Sequence, residues 1–464
     1  MKSILRIALF LMILLPFSAG AQYDYYVKLG KESFNNQNFE QAVGQYSKAL
    51  ELRPEASETY VSRASAYASQ GLFSEALNDL NQAMTLNPAA PEPYYYRGLV
   101  YMDLKLYPQA MADLIKVTET LPAFASAYYY IGLIFGAQDD PQKEVDAYTV
   151  AIEKDSSFVE AWYNRALVLA RYEMFDQAIH DFNVTLRLSP RFAMAYVNRG
   201  VIYSYLGDNG KALTDLNTAI EMDNKLYLAY YNRASVYNDL GLPDSAIADY
   251  TRAADVESRD PRIFFNRAGI YLTEHKMDEA LADYSRAIQA DSTYFSAYIN
   301  RSIIYRQKKL FTEAMTDLNR AITITPGDPS SFVYRAYLFQ ELGQTKNAEN
   351  DFANVLKTAP EYLPAAVGYA YFLIEQKKPD EAVAHFNRVL AKDSVSWNAA
   401  LGLSLALIKT DETASRKAWD QALLINPALK NGQNHIEASM LEGFYYSGNI
   451  QKSLKKLFAK YIAE

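Results

Sequence analysis

Five asparagines recur at intervals of 34 residues and are the side chains best suited to contact a ligand. They are Asn164, Asn198, Asn232, Asn266 and Asn300. A carboxamide offers one acceptor and two donors, so it can pair with a peptide backbone whatever the peptide's sequence. The row therefore predicts a binding surface for an extended chain. Hydrogen bonding within the protein itself is the alternative that the sequence leaves open.

Side chains that commonly catalyse reactions or bind metals are few and scattered. The chain has no cysteine, and its four histidines, His180, His275, His385 and His435, lie far apart in the sequence without metal-ligand spacing. The stretch 207–211 looks faintly like a phosphate-binding loop, but it lacks the leading glycine and the Ser or Thr after the lysine. We therefore expect no enzyme activity, no metal and no cofactor.

An arginine and an aspartate 16 residues apart are either both present or both missing. Eight such pairs occur: Arg63/Asp79, Arg97/Asp113, Arg165/Asp181, Arg199/Asp215, Arg233/Asp249, Arg267/Asp283, Arg301/Asp317 and Arg335/Asp351. Both residues are replaced at Leu29/Gln45, Ile131/Ala147 and Tyr369/His385. Because neither partner is kept alone, we expect each arginine to contact its aspartate as a structural ion pair.

These residues belong to a frame of 34 residues that runs eleven times, without insertion or deletion, from Tyr23 to Ser396. We number its places from 1 to 34, with Tyr23 at place 1. Place 8 holds a small residue throughout, and place 20 holds alanine except at Glu144. Apolar places recur at helical spacing, and a break falls near place 15. The pattern predicts two antiparallel helices and a short turn in each unit.

The frame resembles the tetratricopeptide repeat, whose signature is an aromatic residue, a large-small pair, an aromatic, an alanine, an aromatic and a proline. Tyr26, Leu29-Gly30, Ala42, Tyr46 and Pro54 match this signature in the first unit. The resemblance covers everything that follows residue 21. It implies an all-α fold, a right-handed α-solenoid superhelix of helix–turn–helix repeats.

The same resemblance gives the expected division of the chain. Twelve repeats occupy residues 22–429, and the twelfth, residues 397–429, is one residue short. Residues 430–464 form a final hairpin that caps the array, with lysines on its outer face.

In this family, places 5 and 6 of the first helix line the concave groove. The asparagines at place 6 look like the asparagine ladder with which the superhelical repeats of protein O-glycosyltransferases hold an extended peptide. Place 5 is aromatic at Tyr95, Tyr129, Tyr163, Tyr231 and Phe265, which the resemblance also puts in the groove. Aromatic rings suit peptides and sugars, although packing alone would explain them as well.

The N-terminus has the features of a secretory signal at residues 1–21. Lys2 and Arg6 precede an apolar run of eleven residues, Ile7–Phe17, and the small residues Ala19–Ala21 suit a cleavage site. The run is too short for a bilayer, which needs roughly 20 residues. We expect no membrane span after cleavage; an uncleaved anchor is the alternative. Export without cysteine favours the periplasm or cell envelope of a Gram-negative bacterium.

The net negative charge of the chain argues against one class of partner, nucleic acid. Residues 1–21 contain two basic and no acidic residues, so their removal changes the net charge from −8 to −10. An acidic chain is a poor candidate for binding nucleic acid. We therefore predict a non-catalytic scaffold that holds a protein or peptide segment in its concave groove. The alternative is a glycan-binding or structural component of a cell-envelope assembly.

Overall fold

A computed structural model describes residues 19–431 and 446–462 as helices joined by short turns, with no strand among them. The chain divides into two compact units at Met222 and Asp223. Of the predicted signal segment, only residues 19–21 are described, and they begin the first helix. Residues 432–445, which include His435 and most of the first half of the predicted capping hairpin, lie outside the described part.

The first unit contains six helical hairpins, repeats one to six. Odd-numbered helices are the first helix of a repeat and even-numbered helices the second. They are α1 (Ala19–Asn35), α2 (Phe39–Leu52), α3 (Ser57–Ala68), α4 (Phe73–Leu86), α5 (Pro91–Asp103), α6 (Tyr107–Thr120), α7 (Ala125–Ala137), α8 (Pro141–Lys154), α9 (Val159–Arg171), α10 (Phe175–Leu188), α11 (Ala193–Tyr205) and α12 (Asn209–Met222).

The second unit contains repeats seven to twelve and a terminal helix. Its helices are α13 (Tyr227–Asp239), α14 (Pro243–Val256), α15 (Pro261–Thr273), α16 (Met277–Ala290), α17 (Phe295–Gln307), α18 (Phe311–Ile324), α19 (Pro329–Glu341), α20 (Thr345–Thr358), α21 (Leu363–Glu375), α22 (Pro379–Lys392), α23 (Trp397–Leu407), α24 (Glu412–Ile425), a short 3₁₀ turn (Pro427–Asn431) and α25 (Gly448–Ile462).

Helix boundaries follow the 34-residue frame. In repeats two to eleven the first helix begins at place 1 and the second at place 17. Between them, place 15 adopts a left-handed backbone, as glycine at Gly71, where φ is 74°, and as a non-glycine residue at His275, where φ is 59°. A residue in this conformation ends a helix and reverses the chain.

Small residues at places 8 and 20 let the two helices of each hairpin approach closely. Ala42 and Ala76, both at place 20, have no exposed surface. At Gly30 an added Cβ would lie 2.5 Å from Cε1 of Tyr46, and at Gly132 the distance to Tyr148 would be 2.6 Å. Each unit is therefore an all-α array of stacked helical hairpins, and the predicted fold class, an all-α repeat solenoid, is confirmed.

Repeat four accommodates Glu144 where other repeats have alanine. The side chain is 6% exposed and lies against Gly136, whose missing side chain gives it room. Tyr148 Oη donates a hydrogen bond of 3.2 Å to Oε1, and Arg171 lies 3.8 Å from Oε2. Burial raises the pKa of this carboxyl. The departure from the frame is thus matched by a neighbouring glycine and a tyrosine donor.

The terminal helix α25 covers the end of repeat twelve. Leu454, Leu457 and Phe458 are buried, and the Phe458 ring packs 5.3 Å from that of Trp419. Lys452 and its neighbours Lys455 and Lys456 are exposed. The helix thus presents an apolar face to the last repeat and a charged face to solvent.

Candidate functional site

The five asparagines at place 6 all lie half-buried on the first helices of their repeats. Asn164 and Asn198 are on the adjacent helices α9 and α11 of the first unit. Asn232, Asn266 and Asn300 are on α13, α15 and α17 of the second unit. Each set forms a row across consecutive repeats, as the frame predicts.

In the first unit, each asparagine donates a hydrogen bond to the tyrosine at place 5 of the preceding repeat. Asn164 Nδ2 lies 3.0 Å from Tyr129 Oη and 3.0 Å from the carbonyl oxygen of Glu160. Asn198 Nδ2 lies 3.0 Å from Tyr163 Oη. Both carboxamides are therefore linked to the neighbouring repeat, and that of Asn164 also to its own helix.

In the second unit, the carboxamide nitrogens of the three asparagines donate to three different kinds of partner. Asn266 Nδ2 donates to Tyr231 Oη at 2.9 Å, which repeats the pattern of the first unit. Asn232 Nδ2 donates to the carbonyl oxygen of Leu228 at 2.8 Å. Asn300 follows a repeat with phenylalanine at place 5, and its Nδ2 lies 3.3 Å from Tyr284 Oη.

The bonds to backbone carbonyls fix which end of the carboxamide remains available at Asn164 and Asn232. A backbone carbonyl only accepts hydrogen bonds, so the groups facing Glu160 and Leu228 must be the nitrogens of Asn164 and Asn232. No hydrogen bond from any described residue reaches an Oδ1 atom of the five asparagines. The row therefore offers carbonyl-type acceptors, while at least one donor of every carboxamide is used within the protein.

The aromatic residues at place 5 are packed and half-buried. Tyr95, Tyr129 and Tyr163 each contact the phenylalanine at place 34 of their own repeat, with ring centroids 4.5 to 5.1 Å apart. Tyr231 packs 5.6 Å from Tyr250, and Phe265 packs 5.4 Å from Tyr294. Burial raises the pKa of the first three hydroxyls. These rings support the asparagine row more than they form a free stacking surface.

The predicted contact between arginine and aspartate is confirmed in all eight pairs. In each pair Nε and Nη2 of the arginine donate to the two carboxylate oxygens over 2.6 to 2.9 Å. The arginine also reaches the preceding repeat: Arg63 Nη1 donates to Ser47 Oγ at 2.9 Å, and Arg267 Nη1 to Thr251 Oγ1 at 2.8 Å. The same kind of bond is made by Arg97, Arg165, Arg199, Arg301 and Arg335, so each of these seven guanidinium groups joins three helices.

Aromatic rings flank these guanidinium groups, a feature that the sequence analysis missed. The Arg63 guanidinium carbon lies 5.6 Å from the centre of the Tyr60 ring and 5.8 Å from that of Tyr67. These rings are at places 4 and 11, one turn before and one turn after the arginine. The signal was in the sequence, because aromatic residues at places 4 and 11 accompany the arginine in most repeats. Many of the 38 tyrosines are explained by this packing.

Two of the three repeats without the ion pair fill its position with aromatic or apolar side chains. Tyr369 and His385 meet edge to face, with ring centroids 5.2 Å apart, and burial lowers the pKa of His385. Ile131 and Ala147 are buried apolar residues. Loss of both charges together is thus compatible with a packed interior.

The described part of the chain contains no cluster of His, Cys, Asp and Glu that could hold a metal ion. Residues 207 and 208 lie in the turn between α11 and α12, and residues 209–211 begin α12, where Asp208 accepts from the backbone N–H of Lys211 at 3.1 Å. Across residues 19–431 and 446–462, every helix is too short or too polar to cross a bilayer.

Comparison with known proteins identifies the family. Sequence models of the tetratricopeptide repeat match residues 23–55, 64–105, 197–255, 231–295, 271–329 and 339–413. Together these matches cover more than half of the chain. The protein belongs to the tetratricopeptide repeat family, and its fold is that of a scaffold for protein–protein interaction.

Several solved structures resemble parts of this chain or nearly all of it. YrrB, described as a TPR protein with an unusual peptide-binding site, is 27% identical over 40% of this chain and 95% of its own, with a TM-score of 0.34. The APC/C hetero-tetramer Cut9–Hcn1 is 14% identical over 94% and 96%, with a TM-score of 0.45. A tetratricopeptide repeat protein from Parabacteroides merdae is 17% identical over 52% and 96%, with a TM-score of 0.40. A search of curated proteins gave no significant match.

Proposed function

We propose that this protein is a non-catalytic scaffold that binds an extended segment of a partner protein along the row of place-6 asparagines within a unit. The oxygens at place 6 accept hydrogen bonds from backbone N–H groups of that segment. In keeping with the signal-like N-terminus, the protein acts outside the cytoplasm, in the periplasm or cell envelope.

The orientation of the carboxamides is the observation that carries the proposal. Their nitrogens are bonded within the protein, and their oxygens have no partner among the described residues. Packed helices lie roughly 8–10 Å apart, and an extended strand rises about 3.3 Å per residue. Successive oxygens would therefore meet N–H groups about three residues apart.

The tyrosines at place 5 have a supporting role in this proposal. Tyr129, Tyr163 and Tyr231 accept from the asparagine of the next repeat, which holds each carboxamide in one orientation. Restricting a side chain before binding lowers the entropy lost when a ligand binds. A preorganised row of acceptors suits a partner that is itself flexible.

Binding of a glycan remains the competing function, and the packing of the rings argues against it. Tyr95, Tyr129, Tyr163 and Phe265 are in edge or tilted contact with neighbouring rings, so much of each face is covered. Sugar stacking needs an open aromatic face. An extended peptide needs the acceptors, and these are the uncovered groups.

An ester-substitution experiment tests the proposal directly. Twelve-residue peptides are selected for binding from a random library, and each amide is then replaced in turn by an ester, which removes one N–H donor. We expect the sensitive positions to be about three residues apart. At each of them a single ester should weaken binding about threefold to tenfold, which corresponds to the loss of one hydrogen bond.

The protein variants provide the control for this experiment. An Asn232→Ala, Asn266→Ala and Asn300→Ala triple variant should bind more weakly and lose its sensitivity to the ester positions. A matched triple with Asn238, Asn354 and Asn387 replaced by alanine, all exposed and outside the row, should behave as wild type. Equal ester effects in the wild type and the row variant, or binding of neutral oligosaccharides in place of peptides, would contradict the proposal.

A further inference from the structure

A pocket of about 630 Å³ opens between the first helices of repeats ten, eleven and twelve, α19, α21 and α23. Tyr334, Tyr362 and Trp397 form part of its wall, and all three rings are half-buried. Aliphatic side chains, including Val367, complete the apolar part of the wall. The volume is in the range of pockets that hold small molecules or a few side chains.

The pocket lies on the continuation of the asparagine row. After Asn300, place 6 is Tyr334 in repeat ten and Gly368 in repeat eleven, and both residues line the pocket. An added Cβ at Gly368 would lie 2.5 Å from Tyr337 Oη, so glycine is required for the close packing here. A strand that follows the row would reach the pocket two repeats, or about six residues, beyond Asn300.

Buried hydrogen bonds hold the floor of the pocket in place. Asn398 is 5% exposed, and its Oδ1 accepts from Tyr371 Oη at 2.9 Å and from Tyr446 Oη at 2.8 Å. Both tyrosines are buried. The pocket is therefore a formed feature of the packed array and does not depend on exposed side chains for its shape.

The two charged residues that line the pocket are both acidic. Glu361 and Asp393 line it, and no lysine or arginine does so among the described residues. At the rim, Lys392 is paired with Glu361 and Arg388 is a second basic neighbour of that carboxylate, so Asp393 is the lining carboxylate that has no ion pair with a described residue. Asp393 accepts a hydrogen bond from the backbone N–H of Val395 through Oδ1 at 3.2 Å. Two carboxylates beside aromatic rings are the environment that stabilises a cation.

The protein itself already uses this combination to hold a guanidinium. The Arg335 guanidinium carbon lies 5.3 Å from the Phe332 ring and 5.7 Å from the Phe339 ring, and the side chain is bonded to Asp351. The pocket offers the same kinds of group, aromatic rings and carboxylates, without an arginine of its own among its lining residues. A cation from another molecule would complete the set.

We propose that this pocket binds a basic side chain, arginine or lysine, of the partner segment that lies along the asparagine row. The inference rests on the proposed function, since it supplies the side chain that anchors the same segment. The aliphatic stem contacts Val367 and Leu363, and the charged head lies between the rings and the two carboxylates. Arginine is favoured over lysine because its planar head can stack on a ring while it bonds a carboxylate.

A neutral occupant fits the pocket less well. An apolar anchor would remove water from Asp393 without giving that carboxylate a cationic partner, which is unfavourable. A sugar could hydrogen-bond the carboxylates, but it would leave the charge of Asp393 uncompensated. Charge therefore favours a basic side chain over both of these alternatives.

Fluorine NMR of the full chain labelled with 5-fluorotryptophan tests the pocket. The sequence has three tryptophans, and a Trp397→Phe variant identifies the signal from the pocket. The probes are acetyl-Ala-X-Ala-amide peptides in which X is arginine, lysine, the neutral isostere citrulline or glutamate. We expect arginine and lysine to shift the Trp397 signal, with arginine binding at least fivefold more tightly than citrulline, and glutamate to have no effect.

Charge variants provide the controls. A Glu361→Gln and Asp393→Asn double variant keeps the hydrogen-bonding shape and should weaken arginine binding at least fivefold without changing citrulline binding. Asp380→Asn with Glu381→Gln, two exposed carboxylates on α22, should leave both unchanged. Equal responses to arginine and citrulline, or a Trp397 shift with maltohexaose or chitohexaose alone, would overturn the inference.

The two proposals fail separately. The short probes carry too few amides to span the row, so they report on the pocket alone. Library peptides that show ester effects on the asparagine row, together with arginine probes that do not bind, would disprove the pocket and leave the scaffold function intact. Arginine probes that bind while ester effects are absent would support the pocket and disprove the row.

Discussion

At the scale of single residues, the ion pairs between places 7 and 23 show how this chain buries charge. Each carboxylate receives two hydrogen bonds from one guanidinium, and the guanidinium is flanked by rings and bonded to the preceding repeat. Removing one member of a buried pair leaves an uncompensated charge, whereas removing both can be nearly neutral. The chain already contains the neutral solution at Ile131 and Ala147.

This reasoning predicts the outcome of a double-mutant cycle at Arg301 and Asp317. Arg301→Ile alone should lower the free energy of unfolding by about 3–5 kcal/mol, because the carboxylate of Asp317 is only 4% exposed. Adding Asp317→Ala should restore much of that loss, since repeat four carries the same two residue types at these places. Urea unfolding followed by circular dichroism measures both effects.

The control for this cycle is an exposed ion pair in the same unit. Replacing Arg416 and Asp420, which are 40% and 56% exposed, should change the unfolding free energy by less than about 1 kcal/mol, singly or together. A double variant at positions 301 and 317 that is as unstable as the two single losses added together would contradict the prediction.

Residue-scale features differ in how far the sequence could predict them. The ion pairs were predictable because the two residues are lost together. The bond from Asn266 to Tyr231 was not predictable. The repeats that precede Asn232 and Asn300 have no tyrosine at place 5, so asparagine at place 6 and tyrosine at place 5 of the preceding repeat do not occur together consistently. Which atom of an asparagine faces outward depends on the rotation of one helix against the next, and the 34-residue frame does not fix that rotation.

At the scale of the helical hairpin, the turn at place 15 is the most strained local feature. Seven non-glycine residues adopt a positive φ there, each between 57° and 61°. A side chain in this conformation is unfavourable by roughly 1–2 kcal/mol relative to glycine. The 34-residue pattern predicts a break near place 15, but it does not indicate that lysine, glutamate and histidine adopt the conformation of glycine there.

His275→Gly should therefore stabilise the protein by about 1 kcal/mol, because glycine relieves the backbone strain and the exposed histidine side chain makes little contact. The opposite substitution, Gly241→Ala, places a side chain where φ is 69° and should destabilise by a similar amount. Midpoints of urea unfolding for both variants test the prediction. A loss of stability in His275→Gly would show that its side chain has a structural role.

At the scale of the whole molecule, the unbroken frame means that repeats are interchangeable in register. Deleting residues 91–124 removes one complete repeat and joins α4 to α7 at equivalent places. We expect such a variant to keep its helical content per residue and to melt only slightly lower, because stability in a repeat array depends mainly on contacts between neighbours.

A deletion of half a repeat should behave differently. Removing residues 91–106 takes away α5 and its turn, so that α6 loses the helix against which Leu114 packs. The far-ultraviolet circular dichroism signal per residue should fall, and the melting transition should broaden. Similar signals from the two deletions would mean that the hairpin is not the unit of stability.

The fold was more predictable than the site because the two depend on different amounts of information. The hairpin occurs ten or more times in the chain, and the small residues at places 8 and 20 indicate the same close helix packing each time. The pocket occurs once, and it depends on Gly368, on Tyr446 from beyond the repeats, and on the absence of a basic residue among its lining side chains. A single occurrence gives no pattern to detect.

A row of like acceptors has a kinetic consequence. Asn232, Asn266 and Asn300 present the same oxygen at the same place, so the proposed strand, if it shifts along the row by one repeat, would exchange each contact for an equivalent one. Such a strand could slide along the row without dissociating. Only a unique group at one end, such as the pocket beside Gly368, would fix its register.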